Sequence, residues 1–225
     1  MIIVKFISVI LISYLLGSIP FGLIISRYKA NVDVRQFGSG KTGATNVLRT
    51  LGLKWAAIVA VLDVLKGVGA VMIAGLIFRH EDLLMIGNLA VGTLVVQTIA
   101  ALIAMAGHNW PIFYKFKGGR GVATYFGGLA ALYPPAALFG GEILVVSAGL
   151  TRYVSLGSIA GAIGAAAILV PLTIYHGFSL AYLGYAIAGG VIVLVMHRDN
   201  IVRLINGKER RLGEKTQNLT VSSEK

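Results

Sequence analysis

Residues 156–175 read LGSIAGAIGAAAILVPLTIY, twenty positions without a charge. A helix needs a run of about 17–25 apolar residues to cross the hydrocarbon core of a bilayer. Similar runs recur at Ile2–Ser26, Trp55–Phe78, Leu83–Ala106, Val122–Tyr133, Pro135–Leu150 and Phe178–Met196. The expectation is an all-α integral membrane protein with seven transmembrane helices, the short fourth leaning on its neighbours. Six spans follow instead if the fourth and fifth runs form a re-entrant pair. The first run follows Lys5 and continues through Gly17-Ser18-Ile19-Pro20-Phe21-Gly22 with no small-x-small cleavage pattern, so it reads as a retained helix. Gly, Ala and Ser recur inside the spans, as small residues do where helix backbones approach closely in lipid.

Composition agrees. The 225-residue chain is 56% hydrophobic and 13% charged, with a mean hydropathy of +0.82. A soluble domain is about 45–50% apolar and about 25% charged, so this chain has too little charge to clothe a surface in water. Its net charge of +11 suits anionic lipid or phosphorylated small molecules. Nucleic acid fits poorly, because the cations sit in short loops between apolar spans. No cysteine is present, which excludes disulfides, thiolate chemistry and Cys-based metal sites.

With seven spans, 17 of the 20 Lys and Arg fall on one face: between Arg27 and Lys54, between Gly107 and Gly121, at Arg152, and after His197. Positive charge marks the cytoplasmic side, which places the N-terminus outside and the C-terminus in the cytoplasm. An even number of spans would move the tail's cations to the other face. Residues 1–211 read as a single transmembrane domain, and 212–225 as a polar, disordered cytoplasmic tail.

Three basic segments on that face carry candidate chemistry. The first runs from Gly38 to Arg49 as GSGKTGATNVLR. Its glycines and hydroxyls let backbone N–H groups converge on an anion, Arg49 adds a fork-shaped clamp, and a helix starting near Ala44 adds N-terminal donors. A P-loop is rejected, because the glycine required five residues before Gly40 is Arg35 and no βαβ context exists. The second segment, Gly107–Thr124, places Gly118-Gly119 between Lys117 and Arg120 just before a span, where backbone donors can face an anion. Its aromatics Trp110, Phe113, Tyr114 and Phe116 read as interfacial anchors, and His108 as a local hydrogen bonder. In the third, His197 and Asn200 are three residues apart and share a helix face, His197 as proton acceptor or phosphate donor and Asn200 orienting it or binding a hydroxyl. Ser155, after Arg152, offers a hydroxyl to the same site or caps a helix.

Two charges within the second span, Asp63 and Lys66, stand at i, i+3 and are expected to pair. Glu142 is a lone intramembrane carboxylate.

Together these segments resemble the acyl-phosphate-dependent glycerol-3-phosphate acyltransferases of bacterial membranes. The likeness lies in Gly17–Gly22, Gly38–Arg49, Asp63-Val64-Leu65-Lys66-Gly67, Gly107–Thr124, Arg152-Tyr153-Val154-Ser155 and His197–Glu209, in family order along nearly the whole chain. The resemblance implies transfer of a fatty acyl group from acyl phosphate to the 1-hydroxyl of glycerol 3-phosphate, giving lysophosphatidic acid and inorganic phosphate at the first step of phospholipid synthesis. It implies catalytic roles for Ser39, Arg49, His197 and Asn200, and substrate contacts at Gly38, Gly40, Thr45, Asn46, Lys117, Gly118, Gly119, Arg120 and Ser155. Glu209 matches a glutamate associated with integrity. The expected setting is a bacterial inner membrane, with a monomer needing no metal or cofactor and its site facing the cytoplasm. The sequence departs from the family pattern at Lys41, where asparagine is usual, and at Arg120, where lysine is usual. Both keep or add positive charge, but a planar guanidinium meets phosphate differently from an ammonium.

The mixed anhydride of an acyl phosphate is already activated, so no covalent intermediate is required. The proton of the attacking hydroxyl goes to His197 or to the donor's own phosphate. A His-x-x-x-x-Asp mechanism is excluded: the residues five after His80, His108, His176 and His197 are Met85, Phe113, Ala181 and Val202. An organic-anion transporter and a noncatalytic membrane scaffold are the alternatives. The first expects its unusual residues at the midplane between repeats; the second expects Ser39→Ala and Arg49→Ala to change nothing.

Overall fold

The structure, a computed structural model, describes residues 1–79, 83–86 and 89–214. It is built from α1 (Ile2–Gly17), α2 (Phe21–Ala30), α3 (Ala44–Leu51), α4 (Leu53–Ile77), α5 (Thr93–Asn109), α6 (Val122–Leu132), α7 (Pro134–Thr151), α8 (Val154–His176), α9 (Leu180–Met196) and α10 (Arg198–Ile205). Two short strands, β1 (Leu84–Ile86) and β2 (Leu89–Val91), pair antiparallel with Met85 opposite Ala90. Among the described residues the protein is thus a helical membrane fold with one small hairpin.

Four stretches among the described residues are each long and apolar enough to cross a bilayer: Ile2–Ala30, Leu53–Ile77, Pro134–Thr151 and Val154–His176. Pro20 has no N–H to continue the ladder, so the first stretch is interrupted between α1 and α2. Helix α9 passes the same test only when taken together with α10, across a bend of 63°. The other two runs of the seven-span reading are shorter as helices. The run expected from Leu83 begins with the hairpin, and its helix starts only at Thr93. Helix α6 has 11 residues, about 16 Å at 1.5 Å per residue, roughly half a hydrocarbon core. Of the tail, residues 215–225 lie outside the described residues, whereas Leu212 is structured.

Neighbours hold α6 in place. Tyr125 stacks on Tyr185 of α9 with ring centroids 5.6 Å apart. The Tyr185 hydroxyl donates to the Tyr125 carbonyl at 2.9 Å, and the Tyr125 hydroxyl to the Ala186 carbonyl at 3.2 Å. On the other side α6 meets α4 backbone to backbone. A Cβ on Gly67 would stand 2.2 Å from the Thr124 carbonyl oxygen, and one on Gly127 2.0 Å from that of Val64. Only glycine permits this approach. The core beside it contains Met105, Leu129, Ala165, Leu169 and Val193, all fully buried.

The expected ion pair is present in α4. Lys66 Nζ donates to Asp63 Oδ1 at 2.7 Å, with both side chains buried. His108 Nδ1, from the end of α5, stands 3.5 Å from the same oxygen, and the Phe21 ring lies 4.9 Å from the ammonium. Removing one partner of a buried pair leaves an uncompensated charge, at a cost of about 3–5 kcal/mol. Asp63→Ala should therefore lower the Tm of the purified protein in detergent, and adding Lys66→Met should recover part of the loss. An Asp63→Ala protein melting with the wild type would contradict the pairing.

Candidate active site

A cavity of about 630 Å³ opens where four helices begin. Gly43, Ala44 and Thr45 at the start of α3, Gly121, Val122 and Ala123 at α6, Val154 and Ser155 at α8, and His197 and Asn200 at α10 all line it. The first N–H groups of a helix have no intrahelical acceptor, and each start carries the positive end of a helix dipole. Lys41, Arg49 and Arg120 add three cationic side chains to the same walls. Burial pushes the pKa of all three down. For Lys41 the next cause is Arg120, for Arg49 it is Arg210, and for Arg120, which falls to about 10, it is Arg203. Such mutual depression marks a site with affinity for anions. Away from this polar end the cavity continues between α4, α6 and α7 along Ala60, Val64, Phe126, Ala130, Ala137 and Leu144.

Asn46 braces the first basic loop. Asn46, buried in α3, donates through Nδ2 to the carbonyls of Val34 at 2.8 Å, Lys41 at 2.9 Å and Phe37 at 3.0 Å, and accepts from the Ser39 N–H at 3.1 Å. Its amide is occupied by the loop, so Asn46 shapes the wall it lines. Gly38 and Gly40 take left-handed backbone angles, φ 55° and 67°, which turn the chain on either side of Ser39. Ser39 lines the cavity; the two glycines do not. The helix expected near Ala44 begins there.

The second segment is arranged differently from its reading as an anion cradle. The Gly118 N–H donates to the Asn109 carbonyl at 3.1 Å and the Gly119 N–H to the His108 carbonyl at 3.0 Å. Both donors are taken up by the end of α5. The glycines are small because His108 packs on them: a Cβ on Gly119 would lie 2.0 Å from His108 Nε2. Lys117 is exposed and is not among the cavity-lining residues, whereas Arg120 is among them.

The third segment converges on the cavity from α9 and α10. His197 sits at the bend, 2% exposed, with Nδ1 at 2.8 Å from the Val193 carbonyl oxygen. A carbonyl only accepts, so Nδ1 carries the proton and Nε2 keeps its lone pair. Burial, then Arg120, lowers the His197 pKa to about 4. Asn200 Nδ2 donates to Glu209 Oε1 at 2.8 Å, and Arg203 Nε to Glu209 Oε2 at 2.8 Å. The Asn200 carbonyl oxygen, the Ser155 hydroxyl and Arg120 Nε are buried without a hydrogen-bond partner among the described residues. Ser155 therefore does not cap α8, and its hydroxyl remains available to the cavity. Sequence reading did not place Lys41, Asp63 or His108 on these walls, yet all three line the cavity. Among the described residues no group of three His, Cys, Asp or Glu is arranged to hold a metal ion.

A sequence model of the glycerol-3-phosphate acyltransferase family matches residues 7–207. Glycerol-3-phosphate acyltransferase 3 of Dehalococcoides mccartyi (strain ATCC BAA-2266 / KCTC 15142 / 195) is 54% identical over 217 residues, which is 96% of this chain and 100% of that one. The glycerol-3-phosphate acyltransferase of Halalkalibacterium halodurans is 43% identical, over 91% of this chain and 94% of its own. A crystal structure of PlsY (YgiH), an integral membrane glycerol 3-phosphate acyltransferase in its glycerol 3-phosphate form, matches with a TM-score of 0.79 and 38% identity. The match covers 92% of this chain and 96% of that one.

With its pKa near 4, the His197 imidazole is neutral throughout the physiological range. Its ring resonances in ligand-free protein should show no titration between pH 5 and 8, and NMR of ring-labelled histidine checks this against His197→Gln. A His197 signal titrating near 6.5 would contradict the buried, Nδ1-protonated geometry.

Proposed function

Because the chain belongs to the glycerol-3-phosphate acyltransferase family, we propose that this cavity transfers a fatty acyl group from acyl phosphate to the 1-hydroxyl of glycerol 3-phosphate. The products are lysophosphatidic acid and inorganic phosphate. The observation carrying this reading is the two-part cavity: one end lined by Lys41, Arg49, Arg120 and four helix starts, the other apolar between α4, α6 and α7. Two phosphorylated head groups need the first and a fatty tail needs the second. Leu138 and Val145 line the apolar part and are also exposed on the outside of the bundle, so the tail reaches its slot sideways from lipid. A transporter site near the midplane fits less well, since the polar groups gather at one end.

In the proposed reaction Arg49, Arg120 and Lys41 hold the head groups, and Ser39, Thr45 and Ser155 supply hydroxyls to their oxygens. Asn200 offers its free carbonyl oxygen to a glycerol hydroxyl. The 1-hydroxyl oxygen attacks the acyl carbon; the new C–O ester bond forms as the C–O bond to phosphate breaks. His197 Nε2 accepts the hydroxyl proton, its basicity raised by the dianions bound beside it. The proton ends on the departing phosphate, so the reaction balances without metal or cofactor. Holding both groups in one cavity supplies proximity, and the fixed donors stabilise the negative charge of the transition state.

The same reading assigns seven spans. Helix α5 with its hairpin and the short α6, wedged between α4 and α9, complete the crossings that length alone leaves at four or five. The N-terminus is outside, and the C-terminus and the site face the cytoplasm of a bacterial inner membrane, because the basic loops gather at that end. The enzyme works as a monomer.

The decisive assay supplies purified protein in lipid with palmitoyl phosphate and glycerol 3-phosphate. Phosphate release should require both substrates and match lysophosphatidic acid mole for mole; release without glycerol 3-phosphate, or no turnover by folded protein, would overturn the reading. Arg49→Ala should lower kcat/KM by about 10²–10³ with the fold retained, as judged by Tm and gel filtration. Equal activity in that variant would remove Arg49 from the site.

A further inference from the structure

The residues after α10 run beside the cavity, which Glu209 lines, and are tied down on both sides. At one end the Arg210 guanidinium donates through Nη1 to the Gly38 carbonyl, and Arg49 Nη2 reaches the Arg210 carbonyl at 3.4 Å. At the other end Leu212 exchanges bonds with Arg152 in the turn between α7 and α8. Its N–H donates to the Arg152 carbonyl at 2.7 Å, and its own carbonyl accepts from Arg152 Nη2 at 2.6 Å. Arg211 lies 5.5 Å from the Tyr153 ring centroid and donates to its hydroxyl at 3.2 Å. Just before Arg210, buried Glu209 lines the cavity and accepts from Asn200 and Arg203.

We infer that Arg210 is a positioning residue of this site, and that residues 209–212 are a clasp holding the first basic loop and Arg49 in register with the start of α8. The inference rests on the reading of the cavity as a phosphate-handling site. Gly38 is buried, and a buried backbone carbonyl needs a donor. Arg210 supplies it, and by doing so fixes the turn that presents Ser39. The same residue's carbonyl receives Arg49, so one backbone position sets the spacing between Ser39 and Arg49. Cations near an anion site commonly act by charge. Arg210, by contrast, is absent from the residues lining the cavity and is tied to the loop. Its effect therefore passes through Ser39 and Arg49.

The test uses the full chain in lipid nanodiscs, with Arg210→Ala, Arg210→Lys and, should the alanine variant fail to fold, Arg210→Met, which keeps the stem and loses the donors. Loss of a charge-assisted hydrogen bond to a buried carbonyl is worth about tenfold. Arg210→Ala should raise KM for glycerol 3-phosphate about tenfold and leave kcat within about threefold, while Arg210→Lys restores most of the affinity. The Kd for inorganic phosphate, measured without turnover, should rise in parallel. Unchanged KM and Kd in the alanine or methionine variant overturns the inference, as does a fall in kcat that lysine does not rescue. Wild-type protein that binds phosphate but does not turn over would remove the acyltransferase reading alone, and the Kd comparison would still decide the clasp.

Discussion

Helices α3, α6, α8 and α10 all start at one cavity, and four helix N-termini give that end of the bundle a positive potential before any side chain is counted. The arrangement constrains the rest of the molecule. Loops must bring the helix starts together, the loop backbone must be satisfied without closing the cavity, and anionic side chains must be kept from filling it. Asn46 meets the second demand by taking three carbonyls and one N–H of the first loop on a single amide. Glu209, the cavity-lining carboxylate nearest these cations, is engaged by Asn200 and Arg203 and so is held to one side.

The apolar half follows from the same layout. The short α6, only 11 residues long, contributes a helix start to the polar end and lines the apolar part of the cavity beside α7. Such a helix has no independent hold on a bilayer. Glycine contacts with α4 and the paired Tyr125 and Tyr185 hydroxyls fix its depth. The Asp63–Lys66 pair sits on the α4 wall next to that contact, with Asp63 facing the cavity. Removing a charge there alters packing and the electrostatics of the site together.

Much of this was legible in the residues. Apolar runs gave α4, α7, α8 and α9 nearly to their ends, and the i, i+3 spacing of Asp63 and Lys66 gave their bond. Residues from each of the three polar segments, Ser39, Arg120 and His197 among them, line one cavity. Other features were hidden. The hairpin before α5 was read as span because its strands are apolar, although Gly87-Asn88 between them is a turn signal. Gly118-Gly119 advertises a missing Cβ, but sequence does not say what stands beside it; His108 does. Nothing local shows that the Asn46 amide braces loop carbonyls 5 to 12 residues away. Arg210 and Gly38 are 172 residues apart, and no periodic pattern connects them.

The central claim is that two phosphorylated head groups lie side by side in one cationic mouth while a fatty tail runs along α6 and α7. A structure of the protein with glycerol 3-phosphate and an unreactive acyl phosphonate bound together addresses it directly. The account predicts both phosphorus atoms among Lys41, Arg49 and Arg120, with the alkyl chain against Phe126, Ala137 and Leu144. Head groups at separate sites, or a chain lying outside that groove, would contradict it.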